Sequence, residues 1–191
     1  MNIRWIALTL IPLVAACASV PAYRYYTLDM RPSGNVSGSA RLDSVVVRVG
    51  EALSKNELLV RTSPTQIEYY ALDRWASGLD EQIAEKLLAE FSTASPNAPA
   101  IWIESNLLAF EQVDTPGGAD AYVKIDVRAG WFNDGRRNTD VHRIYDRTVP
   151  ADSSTPDAVV QALSRTVEAI ALDIANEPAL QPQNFRGAAS Q

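Results

Sequence analysis

Few side chains in this 191-residue chain could do covalent chemistry: it holds one cysteine, Cys17, and one histidine, His142. A lone histidine excludes a two-histidine metal site, and no second thiol is present to complete a zinc or disulfide pair. A Ser-His-Asp set would have to use His142, which lies between Val141 and Arg143 in a run that reads as a strand. A solvated strand histidine is the simpler reading. The chain has no Gly-x-Ser-x-Gly elbow and no Gly-rich phosphate loop. Neighbouring carboxylates such as Asp80-Glu81 are accounted for by the polarity of a helix start. The expectation is a protein that is not an enzyme and uses no cofactor and no metal. What is left is the Cys17 thiol, whose position decides how it can react.

Cys17 closes the stretch Leu13-Val14-Ala15-Ala16-Cys17. Ahead of it stand a start with one positive charge at Arg4, an apolar run from Trp5 to Val14, and the small pair Ala15-Ala16. These are the parts of a secretory signal. The run is too short to cross a bilayer as a helix, which takes ~20 residues. A cysteine directly after the small pair resembles the lipobox of bacterial lipoproteins, with Val14 where leucine is commoner. That resemblance implies cleavage before Cys17, diacylation of its sulfur and acylation of the new amino terminus. The alternatives are an ordinary cleaved signal and a core cysteine placed there by coincidence. Several acyl chains hold a protein on a membrane where a single chain holds it only marginally. Ala18-Ser19 follow, without the aspartate that signals inner-membrane retention in Gram-negative lipoproteins. In such a host the expected address is the outer membrane, facing the periplasm.

The domain reading is a lipoprotein signal peptide over 1–16, a lipidated tether over 17–22, a folded domain over 23–177 and a disordered tail over 178–191. Removing the signal leaves 191 − 16 = 175 residues, enough for one domain with a sizeable core. The 17 basic and 23 acidic residues give −6, and losing Arg4 brings the mature chain to −6 − 1 = −7. An acidic chain without a basic block argues against nucleic acid as a partner and against charge-driven adhesion to anionic lipid. Attachment must come from the acyl chains on Cys17.

Behind the tether, Tyr23 to Leu28 reads as a strand, Arg31 to Ala40 as a loop and Ser44 to Val49 as a strand with Val45, Val47 and Val49 on one face. Glu57–Thr62 and Gln66–Tyr70 form a hairpin around Ser63-Pro64. Leu72, Trp75, Leu79, Ile83, Leu87 and Phe91 recur at helical spacing, which predicts a helix from Leu72 with Asp73 as its N-cap and Gly78 as a weak point inside it. Ile101–Val113 is a long strand whose apolar face changes parity, which predicts a β-bulge near Ser105-Asn106. Ala121, Val123, Ile125, Val127, Ala129 and Trp131 alternate with polar residues in the clearest half-buried strand. Asp134-Gly135 is a hairpin signal, with Val141–Val149 returning. Thr155-Pro156 opens a last helix whose stripe is Val159, Leu163, Val167, Ile170 and Ile174. The fold class is therefore α+β: a two-layer sandwich of a largely antiparallel sheet with two amphipathic helices on one face.

Tyr25-Tyr26-Thr27-Leu28 after the cysteine, Leu59-Val60-Arg61, and Ile67 to Ala76 leading into a helix resemble the PqiC-like ABC-type transport auxiliary lipoprotein family. The likeness runs over nearly the whole mature chain, through Phe110, Trp131-Phe132 and the closing helix. Relatives often carry a proline and an aromatic after the second strand, where this chain has Gly50-Glu51-Ala52-Leu53. The resemblance implies a periplasm-facing lipoprotein that works with an inner-membrane ABC permease or MCE-type system moving lipid between membranes, and it implies no catalytic residues. A structural lipoprotein of another envelope assembly or secretion machine is the alternative, and a homo-oligomer is compatible with either. Two partner-binding surfaces are candidates. Tyr69, Tyr70, Arg74 and Trp75 would form a strand-to-helix corner, with Trp75 also fitting the core stripe. Trp131 and Phe132 beside Arg136 and Arg137 would form a hairpin tip able to touch lipid headgroups, with a solvated basic turn as the simpler reading. Aromatics and arginine dominate binding energy at protein interfaces. Two stripes and one sheet face suffice only to cover one another, which favours docking over carrying lipid in a cavity.

Overall fold

The computed structural model describes residues 21–36, 40–133 and 136–185. The signal peptide, Cys17, the Asp134-Gly135 turn and residues 186–191 lie outside the described residues. Strand β1 (Arg24–Tyr26) is followed by β2 (Arg41–Val49), the hairpin β3 (Glu57–Ser63) and β4 (Gln66–Trp75), and helix α1 (Leu79–Glu90). Then come β5 (Ala100–Thr115), β6 (Gly118–Asn133), the short β7 (Arg136–Arg137), β8 (Val141–Pro150) and α2 (Pro156–Ala175).

All eight strands belong to one sheet, whose spine is β5 and β6 paired antiparallel from Ile101↔Trp131 to Thr115↔Gly118. On one side β6 carries β7 and β8, both antiparallel. On the other, the first half of β5 pairs with β2 and its last residues with β3, both parallel. The β3–β4 hairpin is antiparallel, and β1 joins its outer edge parallel to the end of β4. Both helices lie on one face of this sheet and touch each other, α1 over β2 and α2 over β6 and β8. The expected two-layer α+β sandwich is the fold.

Periodicity explains which residues make the core. From Ala119 to Trp131 every second residue of β6 is buried and faces the helices, and the α2 stripe from Val159 to Ile174 covers it. Thr155 precedes α2 in extended conformation, with Pro156 at the first helical position. In β5 the parity change is real but sits two residues beyond the expected place. Leu108 is left unpaired between Leu107↔Ile125 and Ala109↔Lys124 and points to solvent, so Leu107 and Phe110 both reach the core.

Two expectations are corrected. The chain does not turn helical at Leu72: β4 runs on to Trp75, Asp73 is not an N-cap, and Gly78 stands just before α1 in extended conformation. The reason is tertiary, because β1 pairs Arg24, Tyr25 and Tyr26 with Asp73, Arg74 and Trp75 and so holds this segment extended. The tail is not disordered in its first part. Pro178–Leu180 and Pro182–Asn184 form 3-10 turns, and Leu180 is buried in the core. Each proline starts its turn, where the missing N–H is not needed.

Candidate functional site

The residues singled out from sequence divide into two regions, one at β1 and β4 and one at the β6–β7 end. Trp75 is core, with its ring 5.6 Å from Phe110. Its neighbour Arg74 points to the opposite face, away from the helices, where it pairs with Glu57 at 3.3 Å and lies 4.0 Å above the Tyr23 ring. Tyr69 donates its hydroxyl to the Ala52 carbonyl and receives Lys55 at 4.4 Å over its ring. Tyr70 instead donates to Gln112 at 2.8 Å, against the end of β5. The β1 corner thus gathers Tyr23, Arg74, Lys55 and Tyr69, while Tyr70 serves packing.

Asp73 holds this corner together. It is buried, bonded by Arg24 at 2.7 Å and by the Tyr26 hydroxyl at 2.9 Å. That contact raises the Arg24 guanidinium above its ordinary range, chiefly through the hydrogen bond to Asp73. The stretch after β1 has no strand partner, so helix side chains satisfy it. Gln82 accepts the Leu28 N–H, Ser164 accepts the Asp29 N–H, and Glu90 accepts the Ser33 N–H. Glu90 in turn is met by Lys86, fully buried, whose Nζ lies 2.8 Å from Glu90, from Glu168 of α2 and from the Arg31 carbonyl. Burial pushes Lys86 down, but its bonds to Glu168 and Glu90 outweigh that and raise it.

Strand alternation sends Arg24 and Tyr26 inward to Asp73, and therefore sends Tyr23 and Tyr25 out. Tyr23 is 46% exposed and Tyr25 63%, the largest exposure among the big apolar side chains. Neither was singled out from sequence, although the alternation within Tyr23-Arg24-Tyr25-Tyr26 carries the signal.

At the other region Trp131 is buried, and its indole N–H donates to the Ala179 carbonyl at 2.8 Å. Phe185 packs on it at 5.1 Å. The Trp131 backbone N–H donates to Asp140, and the Asn138 carbonyl sits 1.7 Å from where a Cβ on Gly130 would be. Only glycine lets the chain close over β6 here. Arg137 is a surface group that donates to Glu104 and Ser44, both at 3.0 Å, and lies 5.6 Å and 5.7 Å from the Trp102 and Phe132 ring centres. Arg136 is exposed and makes no ion pair among the described residues. Trp102, buried under Arg137, was not singled out from sequence, although alternation with the core-facing Ile101 and Ile103 places it on the outer face. On the opposite face from Trp102, a cleft of about 570 Å³ opens between Trp131, Asn138, Asp140, Asn184 and Phe185.

The two regions occupy opposite parts of the sheet. Trp75, beside Arg74, packs on Phe110, whereas Trp131 pairs with Ile101, and these β5 residues are 110 − 101 = 9 positions apart. At ~3.3 Å per residue this is roughly 30 Å along the strand. Neither region brings together a nucleophile, a base and an oxyanion donor, and no group of three His, Cys, Asp or Glu that could hold a metal exists among the described residues.

The described residues form a two-layer α+β domain, and no helix among them is long and apolar enough to cross a membrane. A model of the ABC-type transport auxiliary lipoprotein component matches residues 26–175, and the chain belongs to that family. Solved structures agree in fold. A Xanthomonas campestris protein of the DUF330 family superposes with a TM-score of 0.70 at 13% identity, covering 84% of this chain and 97% of that one. A second crystal structure, of an uncharacterized protein, gives 0.62 at 18% identity, covering 81% and 97%. No curated protein matches the sequence.

Proposed function

We propose that this chain is a lipid-anchored periplasmic accessory of an ABC/MCE-type lipid transport system, held at the outer membrane through acylated Cys17 and acting without catalysis. The observation that carries the reading is the family match over residues 26–175, a family described as the lipoprotein auxiliary component of ABC-type transport. The lipobox-like Leu13–Cys17 supports the anchor, and Ala18-Ser19 without aspartate supports the outer membrane. The helices and sheet face bury one another, which supports docking rather than lipid carriage. The docking surface is the hairpin end, where Arg136, Arg137 and Phe132 face outward far from the tether.

Crosslinking in intact cells, affinity capture of the chain and mass spectrometry test the reading. Recovery of an MCE protein with its permease and ATPase is expected. Recovery only of secretion or outer-membrane assembly components would replace it with a structural role in another machine. Cys17→Ala is expected to give a folded but mislocalised protein without acyl label, because the buried core among the described residues is built from Leu28 to Leu180. Acyl labelling equal to the unmodified chain would sink the anchor.

A further inference from the structure

The tether and the two outward tyrosines meet at one place, and this has a consequence for how the domain sits on its membrane. Cys17 and Tyr23 are 23 − 17 = 6 positions apart. Even fully extended, that chain reaches no more than about 20 Å. The first strand of the sheet is therefore held within a short distance of the bilayer by chain length alone. There the domain presents Tyr23 and Tyr25 on its outer face, with Arg74 stacked on Tyr23. Tyrosine carries an apolar ring and a polar tip, and it concentrates where hydrocarbon meets headgroups.

We propose that the β1 corner is a membrane seat. Tyr23 and Tyr25 rest in the headgroup layer of the phospholipid bilayer that holds the acyl chains, and this contact fixes the orientation of the whole sheet. The inference rests on acylation of Cys17.

Charge does not drive the seat. Arg24 is bound to Asp73 and Arg74 to Glu57, which leaves Lys55 over Tyr69 as the corner's one cation without an ion pair among the described residues, and the chain as a whole is acidic. An aromatic seat adds little affinity by itself. It converts a domain swinging on a leash into one with a defined attitude, because the acyl chains already hold the tyrosines at high effective concentration. After Tyr25, the most exposed large apolar side chain among the described residues does not share the geometry. Ile144, 53% exposed, lies on β8 at the far edge of the sheet, three strands beyond β3 in the order β3-β5-β6-β8. Seating β1 leaves the β7 end pointing away from the bilayer, toward a partner spanning from the other membrane.

The test uses the full acylated chain in phospholipid vesicles. Once Cys17 is acylated no free thiol remains, so one introduced cysteine can carry a fluorophore. Lys55→Cys, exposed beside Tyr69, reports on the corner, and Ile144→Cys reports on the far edge. Lipids bearing a nitroxide on the headgroup quench whichever label lies near the surface. Strong quenching is expected for the Lys55→Cys label and weak quenching for the Ile144→Cys label. Adding Tyr23→Ser and Tyr25→Ser to the Lys55→Cys chain should remove most of its quenching while leaving the melting temperature unchanged. Equal quenching at the two positions, or quenching indifferent to the serines, overturns the seat. Detergent-phase partitioning of the same samples separates the two ideas. A chain found in the aqueous phase loses both the anchor and the seat, whereas an anchored chain quenched equally at both sites loses only the seat.

Discussion

The β1 corner and the hairpin end are held by different forces. Around β1, Asp73, Glu90 and Lys86 are buried charges, each met by partners from distant parts of the chain. Around Trp131, Phe185, Leu180 and the Ala179 carbonyl are apolar or neutral, and Asp140, which accepts the Trp131 backbone N–H, is the one charged group. Buried charges cost desolvation and give back geometry, since an ion pair works only in a narrow set of arrangements. Apolar packing is less directional and does not titrate. The comparison implies that the corner is built for defined placement of the segment after β1, while the hairpin end is built as a sturdy base beneath an exposed arginine.

The sharpest way to break the contrast is at Lys86. Lys86→Met should leave Glu90 buried without its cation and cost about 3–5 kcal/mol of stability, read from the urea midpoint. The double variant Lys86→Met/Glu90→Met should recover a large part of that loss. A single variant as stable as the unmodified chain would mean that the corner does not depend on its buried charges.

Next in size is the hairpin end. Leu180→Ala removes a core side chain from the first 3-10 turn and should cost about 2–5 kcal/mol. No double-variant rescue is expected, because no charge is left stranded. Unchanged stability would show the segment after α2 to be undocked, and Trp131 would then lose its cover.

A third test is pH. Burial pushes Glu90 up, but its bonds to Lys86 and Ser33 prevail and hold it below the ordinary carboxylate range. Its contribution is therefore full above that ordinary range and lost as pH falls through the folded-state value. Lys86, raised, contributes fully below the ordinary lysine range and loses that contribution as pH rises through its folded-state value. Melting temperature against pH should show a plateau between these limits. The Lys86→Met/Glu90→Met variant should fall less steeply on both flanks, and Leu180→Ala should shift the whole curve without changing its shape.

This division also marks what could be read from residues alone. The hairpin strand β6 and helix α2 announce themselves because their periodicity is local, with Ala121 to Trp131 at period two and Val159 to Ile174 at helical spacing. The corner is non-local. Leu72 and Trp75 happen to fall at helical spacing ahead of Leu79, and only pairing with β1, whose Arg24 is 73 − 24 = 49 positions from Asp73, keeps them extended. Asp73 looked like a helix cap for the same reason, since its partner cannot be identified from neighbours. Pro178 and Pro182 suggested a disordered end, whereas one buried residue, Leu180, suffices to tie it down. Of the candidate surface residues, Trp75 and Trp131 went to the core, and Arg74, Arg136 and Arg137 stayed outside. The exposed tyrosines of β1 needed the strand's facing, which Asp73 decides.

The smallest stability effect should accompany the clearest functional one. Arg137 pairs with Glu104 across an exposed sheet face, where such pairs contribute at most about 1 kcal/mol. Arg137→Ala should therefore melt within about 4 °C of the unmodified chain, the shift expected for so small a change. Its guanidinium, set near Trp102 and Phe132, is nonetheless the kind of group that carries binding energy when a partner excludes water from it. Capture of transport partners after crosslinking should drop for Arg137→Ala and stay unchanged for Tyr25→Ser. Labels beside the membrane should respond in the opposite way. If Tyr25→Ser abolishes capture as well, orientation at the membrane is a condition for docking. The two ends would then be consecutive steps of one engagement.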